Sequence, residues 1–225
     1  KGGQPALELY TWLSDKLDVL PLGYGANAEK VIIDSLKAHP EWSDQIVSFL
    51  WALDVTDIFR LQVIRNDKGM ETVGISHCFV NAKGTEAYGQ TFMNESLSLR
   101  RLVLIAVSFF EAFTREKTIV IDDFGQLLHP YVLTHIVEIF HANDIESQLI
   151  VVDCNPALLQ KDLMRKDSIW FAEKGEESST EFVSLADFRG VKAKQSIYDG
   201  YLQGVFGALP IESDFCFQNK VKENN

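Results

Sequence analysis

The chain is 225 residues long, 46% hydrophobic and 24% charged, with 14 Gly and 6 Pro, the make-up of a globular protein long enough for a real core. Intrinsic disorder, a collagen-like repeat and a disulfide scaffold are excluded. Lys+Arg totals 21 against 32 Asp+Glu, a net charge of −11, so a wholly basic nucleic-acid binder is excluded while a local basic patch is not.

In chain order, Leu7, Leu9, Trp12, Leu13, Leu17 and Leu20 recur at helical spacing as far as the Pro21-Leu22-Gly23 break. A second amphipathic run spans 28–38 and stops at Pro40, and a third spans about 41–53. Ile58 to Arg65 alternates like a strand, Asn66-Asp67-Lys68-Gly69 supplies a turn, and Glu71 to Val80 is its hairpin partner, with a third strand near 87–92. From Glu95 the texture changes. Leu99 to Phe113 is apolar nearly all round, as a helix buried against a sheet reads. Thr118-Ile119-Val120-Ile121-Asp122-Asp123 is a short apolar run ending in two acids. Pro130 opens a helix carrying Val132, Leu133, Ile136, Val137, Ile139 and Phe140, and Gln148 to Asp153 is a second apolar strand. Strand, crossover helix and strand of these lengths predict a parallel βαβ unit. Residues 169–173 and 181–185 predict a late hairpin around an acidic, solvated tip, and the tail beyond Phe217 is polar and frayed.

Three cysteines, Cys78, Cys154 and Cys216, stand far apart with no zinc-ligand pair, which predicts reduced thiols in a cytoplasmic protein. The longest apolar stretch, Leu102 to Phe110, is broken by Ser108 and is about half of a membrane span, so no membrane is expected. The chain begins Lys-Gly-Gly rather than Met and shows no signal peptide, which reads as a piece of a longer protein.

The strongest chemical signal is Ile119-Val120-Ile121-Asp122-Asp123 followed by Leu128-His129-Pro130. An apolar strand that delivers two acids to its C-terminal edge is the Walker B arrangement of P-loop ATPases, and strand ends of open parallel sheets are where ligands bind. The first acid would hold Mg²⁺ and the second would sit beside the attacking water. Alone, such a strand end is equally a solvated edge or a helix N-cap.

Its surroundings extend the pattern. Ile121 to Pro130 (I-D-D-F-G-Q-L-L-H-P) resembles, without a gap, the Walker B and following turn of the ABC-like branch of the AAA ATPases. This group is related to SMC and overcoming-lysogenization-defect proteins, and many of its members serve in bacterial abortive-infection and anti-phage systems. Upstream, Glu95-Ser96-Leu97-Ser98-Leu99-Arg100-Arg101-Leu102 is similar to the family's signature, approximately E-S-x-G-T-x-R-L. Downstream, Gln148 to Leu159 (Q-L-I-V-V-D-C-N-P-A-L-L) is similar to its switch strand, Q-L-I-x-T-T-H-S-P-x-L-L. A closing Tyr201-Leu202-x-Gly204-x-Phe206-Gly207-Ala208-x-Pro210 also resembles the end of defence ATPases in this group. The likeness runs from Glu95 to Pro210, about half the chain.

That resemblance implies a head-to-tail dimer. By the same resemblance Asp122 would bind Mg²⁺, Asp123 would face the attacking water, Cys154 would sit near the γ-phosphate, and Ser96, Ser98 and Arg100 would lie across the interface from the partner's ATP. His129 falls in the D-loop. An effector nuclease or toxin would be the partner, and DNA binding is open. The departures weaken turnover. Asp123 stands where the family has Glu, which draws the carboxylate back by about 1.5 Å, and positioned general bases contribute about 10²–10⁴-fold. Cys154 replaces a His, Leu99 a hydroxyl residue, and Ser98 the signature Gly, whose bare backbone would let the nucleotide approach. A Walker A loop is absent from the 225 residues, since Gly2-Gly3 does not qualify. The expectation is that it lies upstream in the parent protein.

Weaker candidates have plainer readings. His77 beside Cys78 reads as a core or edge histidine rather than a metal ligand. His129, His135 and His141 lack the i, i+4 spacing of a metal face. A nucleophilic Cys154 has no His placed near it in sequence. Arg100-Arg101, Lys161, Arg165-Lys166 and Arg189 through Lys194 read as solvated helix faces before they read as a rim for nucleic acid.

The expected architecture is therefore α/β. A helical arm with a β-hairpin insertion runs to residue 94, a P-loop NTPase (ABC-ATPase-like) core with a parallel sheet spans 95–217, and a polar tail covers 218–225. The expected function is an ATPase part that binds ATP and Mg²⁺ and regulates an effector in phage defence, with weak or no hydrolysis alone. The alternative is a degenerate pseudo-ATPase acting as a scaffold.

Overall fold

A computed structural model describes residues 3–20, 26–143, 146–160, 162–175, 177, 179–189 and 196–210. The Pro21-Leu22-Gly23 break, Lys161, Lys192, Lys194, Cys216 and the polar tail lie outside the described residues. The chain divides into two compact units, Lys1–Ala157 and Leu158–Asn225.

The first unit contains a parallel and an antiparallel sheet. In the parallel sheet, β5 (Thr118–Ile121) lies between β1 (Leu17–Val19) and β6 (Gln148–Val151). The register aligns Val19, Val120 and Ile150. β5 and β6 are joined by α5 (Pro130–Ala142), which completes the expected βαβ unit. The antiparallel sheet is β2 (Ile58–Arg65), β3 (Glu71–Asn81) and β4 (Gly84–Thr91), with β3 central. The Asn66–Gly69 turn closes the first hairpin, and Asn66 Oδ1 accepts from the backbone N–H groups of Lys68 and Met70 at 3.0 Å.

α4 (Leu97–Arg115) is the spine of this unit, and 11 of its 19 residues are buried, as its all-round apolar face requires. It packs on α2 (Ala26–Ala38), α3 (Trp42–Ala52) and β5. Phe109 makes edge contacts with Phe49 of α3 and Phe140 of α5, with ring centroids 6.2 and 5.1 Å away. The helix starts on a Ser96 cap and stops where Glu116 turns left-handed, at φ 52°.

The one-helix reading of Leu7 to Leu20 is corrected. α1 (Gly3–Asp15) ends at Asp15, and Leu17 to Val19 form an edge strand. Thr118 N donates to Lys16 O at 2.8 Å and Leu20 N to Val120 O at 3.0 Å, so the strand exists because β5 lies beside it. Local periodicity cannot register a partner about a hundred residues away. α1 itself buries none of its residues, and Leu7, Leu9, Tyr10, Trp12 and Leu13 are exposed.

The second unit is built on the expected late hairpin, β7 (Trp170–Lys174) against β8 (Thr180–Ser184), with α6 (Ile197–Leu202) after it. Phe171 stacks on Tyr201 and Phe206, with rings within 11° of parallel, and Leu159, Ile169 and Leu185 complete the core. Among the described residues no helix is long and apolar enough to cross a membrane.

Candidate functional site

The acids leave the C-terminal end of the central parallel strand. Val152 N donates to Ile121 O at 3.0 Å and Phe124 N to Val152 O at 3.1 Å, so β5 and β6 stay paired just past their ends. Between those two bonds the chain turns outward and exposes Asp122 and Asp123. Phe124 drops back into the core, fully buried. Asp123 takes a left-handed φ of 47° and Leu127 one of 65°, two positive angles that wind residues 123–128 into consecutive turns. Gln126 N donates to Asp123 O at 2.9 Å and Leu128 N to Gly125 O at 3.0 Å within them.

Three side chains fasten this turn. Arg101 of α4, 1% exposed, donates from Nη2 to the carbonyl oxygens of Asp122 and Asp123 at 3.1 and 3.0 Å. The guanidinium therefore holds the backbone of both acids from below and leaves their carboxylates to solvent. Asp153, just past β6, accepts from Gly125 N on Oδ2 and from Asn155 N on Oδ1 at 2.7 Å. A Cβ on Gly125 would lie 2.7 Å from that Oδ2, so glycine permits the close approach. Ser98 Oγ donates to Leu127 O at 2.9 Å and ties the start of α4 to the far side of the turn.

The remaining predicted residues have local roles. Ser96 is the N-cap of α4, its Oγ accepting from Leu99 N at 3.2 Å. His129 caps α5, its Nδ1 accepting from Tyr131 N at 3.2 Å, with Pro130 in the first turn. Cys154 is an exposed free thiol beside Asp153. Asp122 Oδ1 accepts from Asp123 N at 3.0 Å. Of the Arg100-Arg101 pair, Arg101 reaches the acids, whereas Arg100 Nη1 lies 3.9 Å from Met93 Sδ. The structure thus fastens Ser98 and Asp153 to the backbone of the turn that carries Asp122 and Asp123.

Arg101 and Asp153 were not singled out as site residues from sequence. Arg101 had a signal, because it occupies the Arg position of the signature-like segment. Asp153 had a weaker one, as an Asx-turn former directly after an apolar strand.

The donor set suits a hard cation that arrives with its own ligands. Mg²⁺ is commonly bound by one or two carboxylates plus phosphates and water, and Asp122 offers an exposed carboxylate with one oxygen engaged. Both oxygens of Asp153 are already taken by backbone N–H groups. Among the described residues no group of three or more His, Cys, Asp or Glu is placed to hold a metal.

No protein-family profile matches the chain, and no curated protein does. Solved structures do. One is an SMC ATPase described by its ATP-driven dimerization and DNA-stimulated activation, at 12% identity and a TM-score of 0.46 over 66% of this chain and 86% of that one. Another is the Smc head domain of Pyrococcus yayanosii with a coiled coil and joint, at 12% identity and a TM-score of 0.48. This match covers 66% of the present chain and spans 27% of the Smc chain. The chain's own strand order makes it an α/β protein with a parallel sheet.

Proposed function

We propose that this chain is part of an ABC-like ATPase that takes Mg²⁺-ATP at the ends of β5 and β6. The observation that carries this reading is the pair Asp122-Asp123, presented at the end of the central parallel strand with both carbonyls held by the buried Arg101. Parallel strand ends are where open α/β sheets bind ligands. Catalysis of phosphoryl transfer is mostly positioning and electrostatics, which a fixed backbone serves. Asp122 would hold Mg²⁺, whose charge neutralises phosphate oxygens. Asp123 would face the attacking water and Cys154 the γ-phosphate. Ser96, Ser98 and Arg100 would face the nucleotide of a second copy in a head-to-tail dimer. At the finest level, the parent protein would regulate an effector nuclease or toxin in bacterial phage defence.

A second reading, a scaffold without turnover, is favoured by Ser98. Its hydroxyl is committed to Leu127 O within the same chain rather than offered outward.

Calorimetry of Mg²⁺-ATP against the parent protein tests the proposal. Binding is expected, with a loss of about tenfold or more in Asp122→Asn, one charge-assisted contact being worth that much. Mg²⁺ without nucleotide should give no binding heat. Asp123→Asn should abolish turnover with affinity nearly intact, and Asp123→Glu should raise the rate if reach limits it. Absence of nucleotide binding by the parent protein would remove the ATP reading and leave the scaffold.

A further inference from the structure

His77 of β3, 4% exposed, is closed on both ring nitrogens. Nδ1 lies 2.7 Å from Asp57 Oδ2 and Nε2 lies 2.8 Å from Glu95 Oε1. Each neighbouring segment supplies one group. Asp57 immediately precedes β2, whose Ile58 is paired with His77. Tyr88 of β4, opposite His77 in the register, stacks on the ring at 4.9 Å and 6°. Glu95 comes from the residue between the 3-10 turn Phe92–Asn94 and the Ser96 cap of α4. Glu29 of α2, another buried acid on this sheet, is taken up by Thr72 Oγ1 at 2.5 Å and Val73 N at 3.0 Å. Cys78 N donates to Asp57 O at 2.7 Å and pins the outer acid.

Proton counting makes the arrangement informative. A carboxylate only accepts, and a neutral imidazole has a single N–H. Two contacts of hydrogen-bond length with carboxylates therefore need two hydrogens on the ring. Burial pushes the His77 pKa down. The hydrogen bonds to Asp57 and Glu95, with their negative charge, more than offset this and hold it above the ordinary 6.5. Removing one hydrogen sets two acceptors face to face. Glu95, 7% exposed, then faces a ring lone pair where it is largely screened from solvent.

Glu95 is joined to the site by one peptide bond. Ser96 caps α4, Ser98 binds Leu127 O, and Arg101, one turn further, carries the backbone of both acids. We propose that Asp57, His77 and Glu95 form a protonation-dependent latch, which fastens the start of α4 to β3 when the ring carries its second hydrogen and releases that turn when the hydrogen is lost. Its bearing on nucleotide binding rests on the ATP reading; the latch itself does not. It is closed at and below the ordinary histidine range and opens as pH rises through the raised value of the folded protein.

The test is amide hydrogen exchange by NMR on the whole chain, from about pH 6 to 9, corrected for intrinsic rates, with the ring nitrogens of His77 followed in parallel. Protection at Leu99, Arg100 and Arg101 should fall by about tenfold or more, as for loss of one charge-assisted bond. The midpoint should match that of the ring, while the β7 amides stay constant. In His77→Gln the step should vanish. Should that variant not fold, Asp57→Asn, altering a half-exposed carboxylate, should move the midpoint to lower pH. Flat protection through the ring's titration overturns the latch, as does a step that survives in His77→Gln or fails to move in Asp57→Asn. Mg²⁺-ATP calorimetry on the parent protein separates the two ideas. A step without nucleotide binding keeps the latch and removes the ATP reading, and binding with flat protection does the reverse.

Discussion

Arg101 shows how one side chain decides what a sequence motif can do. Two adjacent arginines follow the signature-like serines, and nothing in their local spacing says which turns inward. Position on α4 decides, since Arg101 lies among buried neighbours while Arg100 is half-buried beside Met93. A cation is tolerated there because carbonyl oxygens receive it. Arg101→Met, which keeps an unbranched apolar stem but is shorter and drops the donors, should lower the unfolding free energy by about 3 kcal/mol, the value of a buried hydrogen bond to a charged group. Urea denaturation measures this, and an unchanged midpoint would show that the acids hold their turn without the guanidinium. Asp122, Asp123 and Ser98 were legible as candidates because their types and spacing are the signal, and the structure sets all three at the turn after β5. Asp153 was less so, because its role is to hold backbone rather than to present chemistry.

At the level of elements, most boundaries followed from local rules. The strand 58–65, its Asn-Asp-Lys-Gly turn and the partner beginning at Glu71 stand where alternation and turn residues placed them. α5 begins on Pro130 and β6 on Gln148, as read. α4 starts on a serine cap, so Ser96→Ala should cost about 1 kcal/mol of stability. Thermal unfolding would show this as a lowered midpoint, and no change would mean that the Glu95 contact alone anchors the helix. The exception is β1. Three residues with helical-looking leucine spacing became a strand, because β5 offered unpaired backbone groups beside them and pairing there satisfied both.

At the level of the whole molecule, the proposed latch would link the antiparallel sheet to the acidic turn through protonation of His77. Folding raises the pKa of His77, so the folded state holds that proton more tightly than the unfolded chain does. Its contribution to stability is complete below the unfolded value of 6.5 and is lost as pH rises through the folded value. Urea titrations across that range should show falling stability in the wild-type chain and a flatter profile in His77→Gln; parallel profiles would exclude His77 as the cause. The sequence by itself determined the helices and strands whose patterns repeat within a few residues, the strand that ends in two acids, and the identity of the groups presented there. Only the tertiary structure decided that Leu17 to Val19 would be a strand, that Arg101 would lie under the acids, and that His77 would be gripped by Asp57 and Glu95. Periodicity and turn chemistry report on neighbours along the chain. Those three outcomes depend on groups that lie roughly 20 to 100 residues apart in sequence and meet only when the core has packed.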